Sequence, residues 1–84
     1  MPSVGKTKFE IAVIEKVTEM RRQKGFSQEY IAAILNTTKG FIGQVESQNH
    51  PSKYNLNHLN KLAYEMGCSP KEFMPNDPIP ADNW

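Results

Sequence analysis

The sequence predicts an all-α domain of five helical segments followed by an extended tail. Apolar residues recur at spacings of three and four along most of the chain, which is the period of an amphipathic helix. No alternating apolar and polar stretch of useful length predicts a strand. The 84 residues allow one small domain, because so short a chain buries too little surface for two cores. We expect the packed domain over residues 7–74 and a flexible, Pro-rich, acidic tail over residues 75–84.

The first predicted helix covers about residues 8–24. Thr7 and Glu10 stand at the Thr-x-x-Glu spacing of a capping box, in which each side chain binds the other residue's backbone N–H. Gly25 ends the helix, because glycine easily adopts the left-handed conformation common just after a helix.

Two short helices follow, joined by a turn of about four residues. The second helix begins after Ser27, a good N-cap, and ends near Asn36, which tolerates a left-handed turn better than other residues with side chains. The third helix begins after Thr38 and runs to about residue 47. It contains Gly40 and Gly43, each of which costs about 1 kcal/mol of helix stability relative to alanine. Intrinsic propensity therefore does not explain why this helix forms.

The last predicted helices are a regular one over about residues 56–66, ending at Gly67, and a short one over residues 70–74. Ser69 and Glu72 form a second capping box around the short helix. Proline at its first position costs nothing, since that N–H has no helical partner. The final ten residues contain three prolines and no periodicity, which predicts an extended tail.

Composition excludes several classes of function. No apolar run is long enough to cross a membrane, and the first residues lack the apolar stretch of a signal peptide, so we expect a cytoplasmic protein. One cysteine and two histidines, at no metal-ligand spacing, predict neither a metal site nor a cofactor. No nucleophile and base stand in a recognisable arrangement, so we expect no enzymatic activity.

Charge is distributed unevenly along the chain. Residues 1–61 contain nine Lys and Arg against five Asp and Glu, whereas residues 62–84 contain one Lys against four acids. A basic front part is compatible with a polyanionic partner, and equally with ordinary solvated charge.

Residues 25–46 have the arrangement of a helix-turn-helix, in which the second of two short helices enters the DNA major groove. Over about residues 9–74 the chain resembles the Cro/C1-type (XRE) helix-turn-helix family. The resemblance implies a five-helix, lambda-repressor-like domain. It rests on several short segments occurring in order: Arg21, Gly25-Phe26-Ser27-Gln28, Ile31-Ala32, Ile42-x-x-Val45-Glu46, Leu59-x-x-Leu62-Ala63, and Met66-Gly67-Cys68-Ser69 followed by Phe73.

The same resemblance implies a sequence-specific regulator of transcription. We expect a repressor that binds operator DNA as a homodimer. The alternative is an antitoxin-like module that holds a protein partner and binds DNA to regulate its own synthesis. The acidic tail ending in Trp84 is the feature that favours this alternative.

The predicted DNA contacts lie on the second and third helices and in the loop that follows. Gln28 lies beside outward backbone N–H groups that attract an anion, and the resemblance implies that it contacts a phosphate; a solvated glutamine is the alternative. We expect Lys39 to reach a phosphate or a guanine edge and Gln44 an adenine edge. Asn49 and Lys53 contact phosphates or are free loop residues. The full predicted set is Gln28, Thr38, Lys39, Gly40, Gly43, Gln44, Asn49 and Lys53.

Other residues near this surface leave alternatives open. Gly40 and Gly43 either let the helix backbone approach DNA closely or mark an unspecialised helix with few base contacts. We expect Phe41 at the edge of the core rather than at a thymine methyl group. Lys6 and Lys8 form a basic arm that we expect to be disordered rather than held on the DNA backbone.

Arg21 and Glu46 have a structural role according to the resemblance. Arg21 lies four residues before Gly25, and Glu46 directly follows Val45. At these positions the family has an ion pair, which we expect to fix the third helix against the first.

Overall fold

A computed structural model describes residues 5–81 and residue 84. Within these residues the chain forms four α-helices, one 3₁₀ segment and no β-strand. The all-α prediction is confirmed. The elements are α1 (Lys8–Gln23), α2 (Gln28–Leu35), α3 (Lys39–Glu46), α4 (Leu56–Met66) and the 3₁₀ segment Pro70–Phe73.

The predicted short fifth helix is a single 3₁₀ turn. The predicted Ser69–Glu72 capping box is wrong, because Ser69 Oγ accepts the Lys71 N–H at 3.2 Å instead. Met74 ends the turn with an extended backbone, at φ −96° and ψ 138°. The residue after Met74 is Pro75, and a proline disfavours helical backbone in the residue before it. The segment is therefore too short to form the i to i−4 bonds of an α-helix.

Side-chain caps begin the first three helices as the sequence predicts. Thr7 Oγ1 accepts the Glu10 N–H at 3.1 Å, and Glu10 Oε1 accepts the Thr7 N–H at 2.9 Å. Ser27 and Thr38 accept the N–H of the third residue of α2 and α3, at 3.0 and 3.1 Å. These bonds satisfy N–H groups that have no partner inside the helices.

One apolar core joins all five elements. α3 packs against α2 and α1, while α4 packs against α2 and the 3₁₀ segment. Burial of each large apolar side chain contributes about 1.5–3 kcal/mol, so the core fixes which face of α3 points inward. Its largest fully buried members are Val17, Ile31, Ile42, Val45, Leu62 and Phe73.

The turn between α2 and α3 depends on one left-handed residue. Asn36 has φ 56° and ψ 49°. Its N–H donates to Ala33 O at 3.2 Å, and the Thr37 N–H donates to Ala32 O at 2.9 Å, which closes the end of α2. The chain then turns at once into α3, so α2 and α3 form a helix-turn-helix.

The described residues after Met74 form no helix or strand. Trp84 is 84% exposed, and its backbone N–H donates to Ala81 O at 3.2 Å. The predicted tail also includes residues 82 and 83, which lie outside the described residues. The domain boundary and the flexibility of the tail stay predictions. No described helix is long and apolar enough to span a bilayer.

We expect Asn36→Ala to lower the free energy of unfolding by about 1–2 kcal/mol, because alanine is strained in the left-handed region. Asn36→Gly is expected to leave stability unchanged or raise it slightly, since glycine adopts this conformation without strain. Urea denaturation of the two variants measures both values. Equal stability of the alanine variant and the parent would show that the turn adopts another conformation.

Candidate nucleic-acid interface

The inner side of α3 is held by a bidentate ion pair. Arg21 on α1 donates from Nε to Glu46 Oε2 at 2.8 Å and from Nη2 to Glu46 Oε1 at 3.0 Å. Its Nη1 also donates to Phe26 O at 2.9 Å, just after α1. The two charged side chains are only 11% and 9% exposed. Arg21 and Glu46 therefore join α1, the loop between α1 and α2, and the last residue of α3.

Gln28 extends this network to α2. Its Nε2 donates to Glu46 Oε1 at 2.9 Å. One of its two amide protons is thus used inside the protein, whereas the sequence predicts that Gln28 contacts a phosphate. Glu46 accepts hydrogen bonds from Arg21 and Gln28, and so connects the first three helices through one carboxylate.

Two of the four residues on the outer side of α3 are glycines. Lys39, Gly40 and Gln44 are exposed, and Gly43 is half-buried. A Cβ added at Gly43 would have no described neighbour within 4 Å, and one added at Gly40 would meet Thr38 Oγ1 at 3.8 Å. The protein's own packing therefore does not require glycine at either position.

The loop after α3 folds back beside the same surface. The Ser52 hydroxyl donates to Gln44 Oε1 at 3.1 Å, and the Asn49 N–H donates to Ser47 Oγ at 3.2 Å. Thr38, at the other end of α3, is exposed and caps the helix. Of the residues predicted to contact DNA, most thus lie on α3 or in the loop directly beside it.

Lys53 is paired within the protein. Its Nζ lies 3.0 and 2.9 Å from the two carboxylate oxygens of Glu10, and its side chain is 40% exposed. Burial tends to raise the pKa of Glu10, but the Thr7 N–H and the Lys53 ammonium outweigh it and lower that pKa. This ion pair was not predicted from the sequence, because the two residues lie 43 positions apart.

The expectation that Lys6 and Lys8 are disordered is wrong, and Lys8 is the first residue of α1. Lys6 is 4% exposed, and its ammonium donates to the carbonyl oxygens of Gln44, Val45 and Ser47 at the end of α3. Burial and the Lys53 charge lower the pKa of Lys6, and Glu10 partly opposes that shift. Backbone carbonyls do not depend on residue type, so no sequence pattern marks this site.

The side chains near the core carry no further candidate chemistry. Phe41 is half-buried on the core edge, with its ring centroid 6.0 Å from that of His58. Tyr54 is buried, and burial followed by the Glu46 charge raises the pKa of its phenol. Burial and then Glu72 raise the pKa of the Cys68 thiol. No three metal-ligating side chains cluster among the described residues.

Comparison with solved structures gives two informative likenesses. The restriction-modification controller protein C.AhdI from Aeromonas hydrophila is 26% identical, with a TM-score of 0.63 over 76% of this chain and 94% of that one. The hypothetical transcription factor NHTF from Neisseria is 19% identical, with a TM-score of 0.66 over 81% of this chain and 76% of that one. No protein-family model and no curated protein matches the sequence. The chain therefore shares the helix-turn-helix fold of these two proteins.

We expect Glu46→Ala to lower the free energy of unfolding by about 3 kcal/mol, because it leaves the nearly buried Arg21 guanidinium unpaired. The double change Arg21→Met with Glu46→Leu removes both charges and should recover much of this loss. Gln28→Ala is the matched control, since it removes one hydrogen bond to the same carboxylate and should cost about 1 kcal/mol. Thermal or urea unfolding gives all three values, and a Glu46→Ala variant as stable as the parent would contradict the structural role.

Proposed function

We propose that this protein is a sequence-specific DNA-binding regulator of transcription, a repressor that binds operator DNA as a homodimer. The observation that carries the proposal is the placement of α3. One side of it is fixed by the core and by Arg21–Glu46, and the other side is exposed. The likeness to a restriction-modification controller protein and to a transcription factor supports the same function.

The exposed side of α3 fits the floor of a DNA major groove, which is wide enough to admit a helix. Lys39 lies in the first turn, where its ammonium reaches a phosphate or the O6 and N7 of guanine. Gln44 lies about one turn further along and offers an amide to an adenine edge. Between them, Gly40 and Gly43 let the helix backbone lie closer to the base edges than a larger residue would allow.

The flanking residues supply phosphate contacts in this proposal. Gln28 keeps one amide proton for a phosphate oxygen while the other holds Glu46. Thr38 and Asn49 offer polar groups at the two ends of α3. Lys53 contributes less than an unpaired lysine, because Glu10 already balances its charge.

Selection of bound duplexes from a random pool tests the proposal directly. A homodimer selects two inverted half-sites about 34–36 Å apart, one turn of the double helix, or a multiple of that distance. An absence of any enriched sequence would overturn the proposed function. The antitoxin-like alternative also binds DNA, so partner binding is what distinguishes it, and the 84% exposed Trp84 is the observation that supports it. Binding of an isolated partner to the whole chain but not to residues 1–74 would establish that alternative.

Removal of the Gln44 side chain and removal of the Lys39 side chain should impair DNA binding in different ways. Gln44→Ala is expected to cost about 1–3 kcal/mol on the preferred duplex, to cost much less on unrelated DNA and to relax one position of the motif. Lys39→Ala should reduce the slope of log affinity against log salt concentration by about one if Lys39 holds a phosphate. If Lys39 instead contacts guanine, its loss should relax a second position. Unchanged sequence preference in both variants would show that α3 does not read the bases.

Substitution of Gly43 should change stability and DNA binding in opposite directions. Gly43→Ala should raise the free energy of unfolding by up to about 1 kcal/mol, because the added methyl group meets open space and alanine favours the helix. The same change should weaken binding to the preferred duplex, because the methyl group holds the helix away from the bases. Asn60→Ala, at an exposed site on α4, is the control that changes helix propensity alone. Tighter or equal binding by the Gly43 variant would exclude a close backbone approach.

A further inference from the structure

The end of α3 differs from the ends of α2 and α4. Those two helices end at left-handed residues, Asn36 and Gly67. α3 ends instead at Ser47, whose backbone is extended, at φ −86° and ψ 131°. A left-handed residue closes a helix end with backbone hydrogen bonds, and an extended one leaves some of the last carbonyl groups to other donors.

Lys6 supplies those donors from the segment before α1, 39 residues before Val45. Its Nζ lies 2.7 Å from Val45 O and 3.3 Å from Gln44 O, and it also donates to Ser47 O. An ammonium group has three protons, and here three carbonyl oxygens accept them. Its positive charge also lies at the negative end of the α3 dipole, where a cation is stabilised.

Two further contacts hold the same segment against the loop after α3. Gly5 has φ +73°, and a Cβ on it would lie 2.7 Å from Pro51 Cβ, so only glycine fits there without movement. Glu10 pairs with Lys53 on the other side of Lys6. We call Gly5, Lys6 and Glu10, with their partners Pro51 and Lys53, the clasp.

We propose that Lys6 is a positioning residue for DNA binding: through the carbonyl groups of Gln44, Val45 and Ser47 it fixes the last turn of α3. This inference rests on the proposed function. Lys6 binds the backbone of Gln44, whose side chain carries the adenine contact in that proposal. Displacement of this turn therefore moves the reading side chain, although Lys6 touches no base.

Direct contact between Lys6 and a phosphate is a different role with a different signature. Lys6 is 4% exposed, and its ammonium protons are held by carbonyls. Loss of a positioning lysine weakens binding without changing the number of phosphates neutralised. Loss of a phosphate contact lowers the salt dependence by about one unit of slope.

The test compares the whole chain with Lys6→Met, using the preferred duplex and an unrelated duplex at several salt concentrations. We expect about a tenfold loss of affinity for the preferred duplex, the change that corresponds to one hydrogen bond to a charged group. The loss on unrelated DNA should be smaller, and the salt slope should match that of the parent. Lys61→Met, at an exposed position of α4, controls for the change in net charge.

Gly5→Ala opens the clasp at Pro51 without any change in charge and should reproduce the effect. Amide hydrogen exchange provides a second readout that does not involve DNA. Both variants should exchange faster at residues 44–54 while the amides of α4 keep their protection, which separates local loosening from general unfolding.

Failure of the proposed DNA binding and failure of the positioning role of Lys6 give different results. If the parent binds no duplex, the DNA-binding function is wrong and the positioning role falls with it. If the parent binds and Lys6→Met binds equally well, only the positioning role is overturned. A salt slope reduced by about one would also overturn it, because Lys6 would then be a phosphate contact.

Discussion

The structure depends on one carboxylate, that of Glu46. It accepts hydrogen bonds from Arg21 on α1 and Gln28 on α2, and it stands on the last residue of α3. Core burial alone decides which side of α3 faces inward, but an apolar contact tolerates sliding and rotation. A bidentate pair tolerates neither, because both oxygens must meet the guanidinium plane. Buried ion pairs often add little net stability, so its contribution here is geometric.

The two ends of α3 are fixed by unlike means. Its beginning is capped locally, by the Thr38 hydroxyl on the Phe41 N–H. Its end is closed by Lys6, which lies about forty residues away in sequence. The outer side of α3 is thus largely exposed, with the Gln44 side chain held by Ser52, while both ends of the helix are fixed. Such a division suits a surface that must meet a rigid partner such as duplex DNA, since little order has to be gained on binding.

Sequence predicted the local part of this architecture well. Capping side chains such as Ser27 and Thr38, and the left-handed residue Asn36, act within a few residues of themselves, so their chemistry is readable from spacing. Lys53 pairing with Glu10, and Lys6 on the α3 carbonyls, were missed because each depends on chain segments about forty residues apart meeting in space. The Asn55–His58 capping box of α4 was missed for a different reason, since histidine is not the usual residue at that position.

The glycines on the outer side of α3 leave room for new side chains as the sequence of such a protein diverges. A Cβ at Gly43 would have no described neighbour within 4 Å. New side chains can therefore be added there without repacking the fold, and helix propensity rises with most of them. Under the proposed function, mutation of this position changes which sequence is recognised while the folded scaffold tolerates it. Duplicated copies of the gene could acquire separate targets in few steps, because the usual conflict between new specificity and lost stability is relieved at this face.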